Sequence, residues 1–125
     1  MDNKRPINLN LTTIRFPLAA IASITHRITG VILFLGMALL LYLFQMSLVS
    51  ETGFDSAVQL SQKLSIKAAN WLILVSLSYH VLAGTKHLLL DLGWGETKAS
   101  AEFGGIALLV SLAACGLLAG IWIWS

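Results

Sequence analysis

Three runs without a formally charged side chain decide what this chain can fold into: Ile28 to Ser50 with 23 residues, Ala68 to Thr85 with 18, and Phe103 to Ser125 with 23. At about 1.5 Å per residue, a helix of roughly 23 residues reaches about 35 Å, enough to cross a hydrocarbon core of about 30 Å with some tilt. The shorter run gains the same reach once it continues through Lys86 and His87, whose polar ends can extend to the interface. With 57% of its 125 residues hydrophobic and 11% charged, the chain lies outside the range of a soluble domain. The expected fold is an all-α membrane protein. It has three transmembrane helices near 23–50, 67–90 and 103–124 and a short N-terminal cytoplasmic arm, and residues 1–125 form a single membrane domain.

The net charge of +2 is too small and too dispersed to argue for nucleic acid. Lys4, Arg5, Arg15 and Arg27 precede the first run, Lys63 and Lys67 precede the second, and Lys98 follows it. This bias places the N-terminus and the second loop in the cytoplasm and the first loop outside. The small-residue triplet Ala20-Ile21-Ala22 stands before the apolar run rather than after it, which does not match a cleavable signal peptide. Residues 1–16 read as an extended arm, and Pro17 suits the first turn of a helix. The loop from Glu51 to Lys67 reads as an exterior connection with a half-turn of amphipathic helix from Ala57 to Leu64, and Trp71 stands where an interfacial belt would start. In the third run Gly116 and Gly120 form a small-residue step that a neighbouring helix could approach. The single cysteine, Cys115, reads as a packing residue.

Two polar groups interrupt this apolar pattern. Ser76, His80, Gly84, His87 and Asp91 recur at spacings of four, four, three and four, so they share one face of the second helix. Ser23, Thr25, His26, Arg27, Thr29 and Gly30 form a compact group at the start of the first. Antiparallel spans bring Ser23, His26 and Arg27 to the level of Lys86, His87 and Asp91, near the cytoplasmic rim. His80 then lies deeper, about 16 Å from Asp91 and about 20 Å from Lys67.

An ionisable side chain at that depth is costly and commonly marks function. A neutral imidazole on an apolar helix is the usual holder of a b-type haem, and Gly84 beside it leaves room for a large flat group. A histidine hydrogen-bonded between helices would satisfy the same position. His80 and His87 are about 10 Å apart along one face, so they cannot approach one iron from opposite sides. His26 reads as too near the rim to serve. A haem on His80 therefore needs a second ligand from another subunit, or none. His26, Arg27, Lys86 and His87 are placed for its propionates, although His26 and Arg27 could equally be interface anchors. Ser23 and Arg27 together offer a hydroxyl donor and a fixed charge beside apolar surface, which suits a quinone. No nucleophile with a base and no phosphate loop is present, so catalysis by this chain alone is not expected.

Arg5-Pro6-Ile7 followed by Ser23-Ile24-Thr25-His26-Arg27-Ile28-Thr29-Gly30 resembles the N-terminal signature of the cytochrome b anchor subunits of succinate dehydrogenase, respiratory complex II. His80-Val81-Leu82-Ala83-Gly84, His87 and Asp91-Leu92-Gly93 resemble that family's second signature, in its proteobacterial form. The resemblance implies an assembly of a flavoprotein with FAD, an iron-sulfur protein, this anchor and a sister anchor, passing electrons from succinate to ubiquinone in the bacterial inner membrane. It implies that His80 is an axial haem ligand and that the sister anchor supplies the other. By the same resemblance His26 and Arg27 contact propionates, His87 stands near the haem, and Ser23 with Arg27 forms the quinone pair. Asp91 serves proton delivery or pairs with Lys86 or His87 at the helix end. Lys86 departs from the family's arginine and loses the bidentate fork. A quinol-linked fumarate reductase anchor and a cofactor-free structural anchor are the alternatives. A small transporter is disfavoured, because all six acids lie outside the charge-free runs.

Overall fold

The computed structural model describes residues 18–125, which form four helices in chain order: α1 (Leu18–Val49), α2 (Glu51–Ser61), α3 (Leu64–Asp91) and α4 (Lys98–Trp124). Three of them, α1, α3 and α4, are long and apolar enough to cross a membrane. The expected arm over residues 1–16, Pro17 and the Arg5-Pro6-Ile7 motif lie outside the described residues.

The loop between the first two apolar runs holds more order than a half-turn. Helix α2 starts at Glu51, because the Ser50 hydroxyl accepts a hydrogen bond from the Gly53 amide at 3.0 Å and Glu51 places an acid in the first turn. Glycine is required at this corner: a Cβ on Gly53 would stand 2.5 Å from the Met46 carbonyl oxygen. The chain turns extended at Lys63 and restarts as α3. At the other end of α3, Gly93 and Gly95 take φ angles of +80° and +83°, which an L side chain rarely adopts, and the Trp94 amide donates to the Leu89 carbonyl at 2.9 Å. Helix α4 begins at Lys98, ahead of its charge-free run, with the Thr97 hydroxyl accepting from the Ser100 amide at 3.2 Å.

Helix α3 is the middle of the bundle, with α1 packed on one side and α4 on the other. Few side chains are buried, chiefly Ile73, Ser76, Tyr79 and Ala83 of α3 and Leu108 of α4. Outward positions such as Phe34, Leu35, Phe44, Leu109 and Leu117 are exposed apolar groups, as a lipid-facing or partner-facing surface requires. Small residues set the closest approaches. Gly36 of α1 takes the Ile73 side chain, and the glycine step on α4 takes Trp71, whose indole N–H donates to the Gly116 carbonyl at 2.9 Å. Trp71, expected at an interfacial belt, is therefore half-buried against α4, and the neighbour received by Gly116 and Gly120 is this chain's own α3.

Candidate functional site

The α1–α3 contact is organised by two copies of one pattern, a histidine followed four residues later by glycine: His26 to Gly30 on α1 and His80 to Gly84 on α3. Because the helices run antiparallel, each imidazole rests where the other helix carries glycine. A Cβ on Gly30 would lie 3.2 Å from His80 Cε1, and one on Gly84 would lie 3.1 Å from His26 Nε2. The space beside Gly84, expected to admit a porphyrin, is taken up by the His26 ring.

This register corrects the depth expected for His26. Its ring stacks face to face on that of His80, with centroids 3.9 Å apart and planes 13° from parallel. His26 thus sits at the level of His80, deeper than the rim position that counting from Arg27 implied. Helix α1 begins at Leu18, two turns before His26, and those turns carry it into the bundle. His87 meets His26 edge-on, with centroids at 5.7 Å and planes 72° apart. Three histidines expected at two levels form one continuous row.

His80 is held most firmly. Its Nδ1 lies 3.1 Å from the His26 carbonyl oxygen and 3.1 Å from Thr29 Oγ1, while the Thr29 hydroxyl donates to that same carbonyl at 2.8 Å. Thr29 is buried, and sequence reasoning noted it only as part of a polar group. Tyr79, passed over entirely, fastens the same helix pair by donating from its hydroxyl to the Ala22 carbonyl at 3.3 Å. The signals for both were available: Thr29 is three residues from His26 on its helix face, and Tyr79 adjoins His80. Ser76 is buried on the shared face of α3.

The remaining expected residues disperse. Ser23 is half-buried and Arg27 exposed on successive turns of α1, and neither makes a hydrogen bond to another described residue. Extending the register one turn outward brings Ser23 to the level of His87. Lys86 leans toward α4, its Cε 3.2 Å from where a Cβ on Gly104 would sit. Asp91 is exposed and forms no ion pair with Lys86 or His87. A hollow of 710 Å³ lined by Trp71, Val75, Gly116, Gly120 and Trp124 lies toward the other end of the bundle from Ser23 and Arg27.

What the row can bind follows from the directions of its nitrogens. Among the described residues no group of three His, Cys, Asp or Glu side chains converges on a metal. Stacked rings present their nitrogens side by side, so in this geometry His26 and His80 do not face each other across one iron. His80 alone matches the donor chemistry of a haem ligand: one ring nitrogen is tied to a backbone carbonyl, and the other makes no hydrogen bond to a described residue.

A family model described as the transmembrane subunit of succinate dehydrogenase/fumarate reductase matches residues 1–119. The succinate dehydrogenase cytochrome b556 subunit of Coxiella burnetii is 40% identical over 125 residues, covering 99% of this chain and 100% of that one. The corresponding subunit of Paracoccus denitrificans is 33% identical over 109 residues, covering 84% and 81%. The mitochondrial cytochrome b560 subunit of Sus scrofa is 32% identical over 116 residues, covering 88% and 66%.

Proposed function

The chain belongs to the family of transmembrane subunits of succinate dehydrogenase and fumarate reductase, and from that premise we propose that it is the cytochrome b anchor of a bacterial succinate dehydrogenase. It holds one side of a b-type haem and one wall of the ubiquinone site. The observation that carries this is His80 Nδ1 tied at 3.1 Å to the His26 carbonyl, which leaves Nε2 as the free ligating nitrogen on a membrane helix. His80 would hold the haem iron from this chain, and the sister anchor would supply the second ligand. When bound, the haem supplies a one-electron store.

Each other residue has a role fixed by its chemistry. His26 and His87 line the haem surroundings, and Arg27 offers a guanidinium to a propionate. Ser23 donates its hydroxyl to a quinone carbonyl, and Arg27 stabilises the anionic oxygen that forms as ubiquinone is reduced. The apolar flanks of α1 keep competing water away, so each donor counts for more than it would in solvent. FAD and the iron-sulfur clusters belong to the flavoprotein and iron-sulfur partners, which pass electrons from succinate toward this site. The membrane is the bacterial inner membrane, with the N-terminus in the cytoplasm.

Gentle detergent extraction followed by a reduced-minus-oxidised visible spectrum tests the proposal. The expected result is a low-spin b-type spectrum in a complex that retains a flavoprotein, an iron-sulfur protein and a second membrane subunit. A monodisperse preparation of this chain alone, without haem, would overturn it.

A further inference from the structure

The atoms around His80 Nδ1 restrict where its proton can be. The His26 carbonyl oxygen can only accept, and it lies 3.1 Å from Nδ1. The Thr29 hydroxyl spends its one hydrogen on that same carbonyl at 2.8 Å, so its oxygen turns lone pairs toward Nδ1 at 3.1 Å. Nδ1 therefore faces two acceptors and must itself be the donor. The alternative, with Thr29 donating to a bare Nδ1, would set the carbonyl oxygen against a second lone pair at 3.1 Å in a place that water scarcely reaches.

We propose that Thr29 is a positioning residue for the haem ligand: with the His26 carbonyl it holds His80 as the Nδ1–H tautomer, fixes the plane of the ring and keeps the Nε2 lone pair directed at the iron. This rests on His80 being the haem ligand. The device is compact because a single turn of α1 supplies both acceptors, and because the Thr29 hydroxyl, bonded back to residue 26, has no freedom to swing away. The His26 ring, stacked at 3.9 Å, bars rotation of the His80 imidazole from the same side. Two acceptors on Nδ1–H draw its proton outward and make Nε2 the stronger electron donor, which favours ferric over ferrous iron.

The test compares Thr29→Val, close in shape but without the hydroxyl, with Thr29→Ser, which keeps it, in the assembled complex. Haem content, the reduction potential and the low-temperature electron paramagnetic resonance of the ferric haem are measured. Thr29→Val is expected to retain haem, to shift the largest g value, and to raise the reduction potential by a threefold to tenfold change in the oxidised-to-reduced ratio, up to about 59 mV for one electron. Thr29→Ser is expected to restore both signatures. If Thr29→Val fails to assemble, Thr29→Ala carries the same two readouts. A wild-type potential and g value without the hydroxyl, in a complex whose haem is lost on His80→Leu, overturn the role of Thr29 alone. Low-spin haem unchanged in His80→Leu overturns the ligand assignment beneath it.

Discussion

The imidazoles of His26 on α1 and His80 on α3 stack with 3.9 Å between centroids, yet their polar contacts are unequal. His80 has its Nδ1 tied to α1, whereas His26 Nε2 lies beside Gly84. Only His80 thus combines an anchored nitrogen with a free one. Replacing it by leucine keeps α3 apolar, so the helix should persist while the ligating nitrogen and the hydrogen bonds to α1 are lost. The expected outcome is loss of the low-spin haem spectrum, or conversion to high-spin, in His80→Leu. His87→Leu should keep low-spin ligation and at most shift the potential. Loss of the spectrum in His87→Leu with retention in His80→Leu would reverse the assignment.

Ser23 and Arg27 lie one turn apart on α1, the first half-buried and the second exposed, and are the pair proposed for the quinone. Ser23→Ala removes one donor from a carbonyl shielded from water, a loss on the order of 1 to 3 kcal/mol in quinone binding or barrier. Arg27→Leu removes the charge proposed to steady the reduced oxygen. Both variants should slow electron transfer to ubiquinone while leaving succinate oxidation by a soluble dye at the wild-type rate, since that step is assigned to the proposed partner subunits. Steady-state assays with the two acceptors check this, and normal quinone kinetics in Ser23→Ala would remove the residue from the site.

The spans were legible because charge-free runs of this length have few other uses, and the polar face of α3 was legible from its helical spacing. The depth of His26 was not. Measured from Arg27 it belongs to a rim, but depth is set by where α1 meets α3, and that depends on glycines. Read as a pair, His26-to-Gly30 and His80-to-Gly84 contain the register, since two antiparallel helices can satisfy both steps only by seating each ring on the other's glycine. The direction of Lys86 was out of reach for a different reason. A long flexible stem chooses between α1 and α4 by packing, and Gly104 opens the α4 side.

Gly36 and Ile73 give a direct measure of this contact away from the histidines. A Cβ on Gly36 would lie 2.6 Å from Ile73 Cγ1 and 2.8 Å from Cδ1, so a methyl group there forces the isoleucine or the helix to move. Overpacking of this kind costs about 1 to 3 kcal/mol, more than the roughly 1 kcal/mol that alanine gains over glycine in a helix interior. Gly36→Ala should therefore lower the thermal stability of the complex. Trimming the opposing side chain by Ile73→Val in the same molecule should recover part of the loss. Equal stability of Gly36→Ala and wild type in a melting experiment would show that Ile73 makes room for a methyl group without cost.

The reciprocal glycines should not respond alike, although the distances are nearly equal. A Cβ on Gly84 meets His26 Nε2 at 3.1 Å, on a ring packed against His80 and His87 that makes no side-chain hydrogen bond to a described residue and can slide by a few tenths of an ångström. A Cβ on Gly30 meets His80 Cε1 at 3.2 Å, on a ring whose Nδ1 is fixed to the His26 carbonyl and to Thr29, so yielding by a few tenths of an ångström strains those bonds. For Gly84→Ala the helix gain of roughly 1 kcal/mol and the cost of moving one ring are comparable, and stability should change little. For Gly30→Ala the displaced ligand should broaden or weaken the low-spin haem spectrum and raise the reduction potential in the direction expected for Thr29→Val. Redox titration of both alanine variants decides the matter: identical effects from the two would mean that the hydrogen bonds at Nδ1 do not hold the ring, and that its place is set by stacking alone.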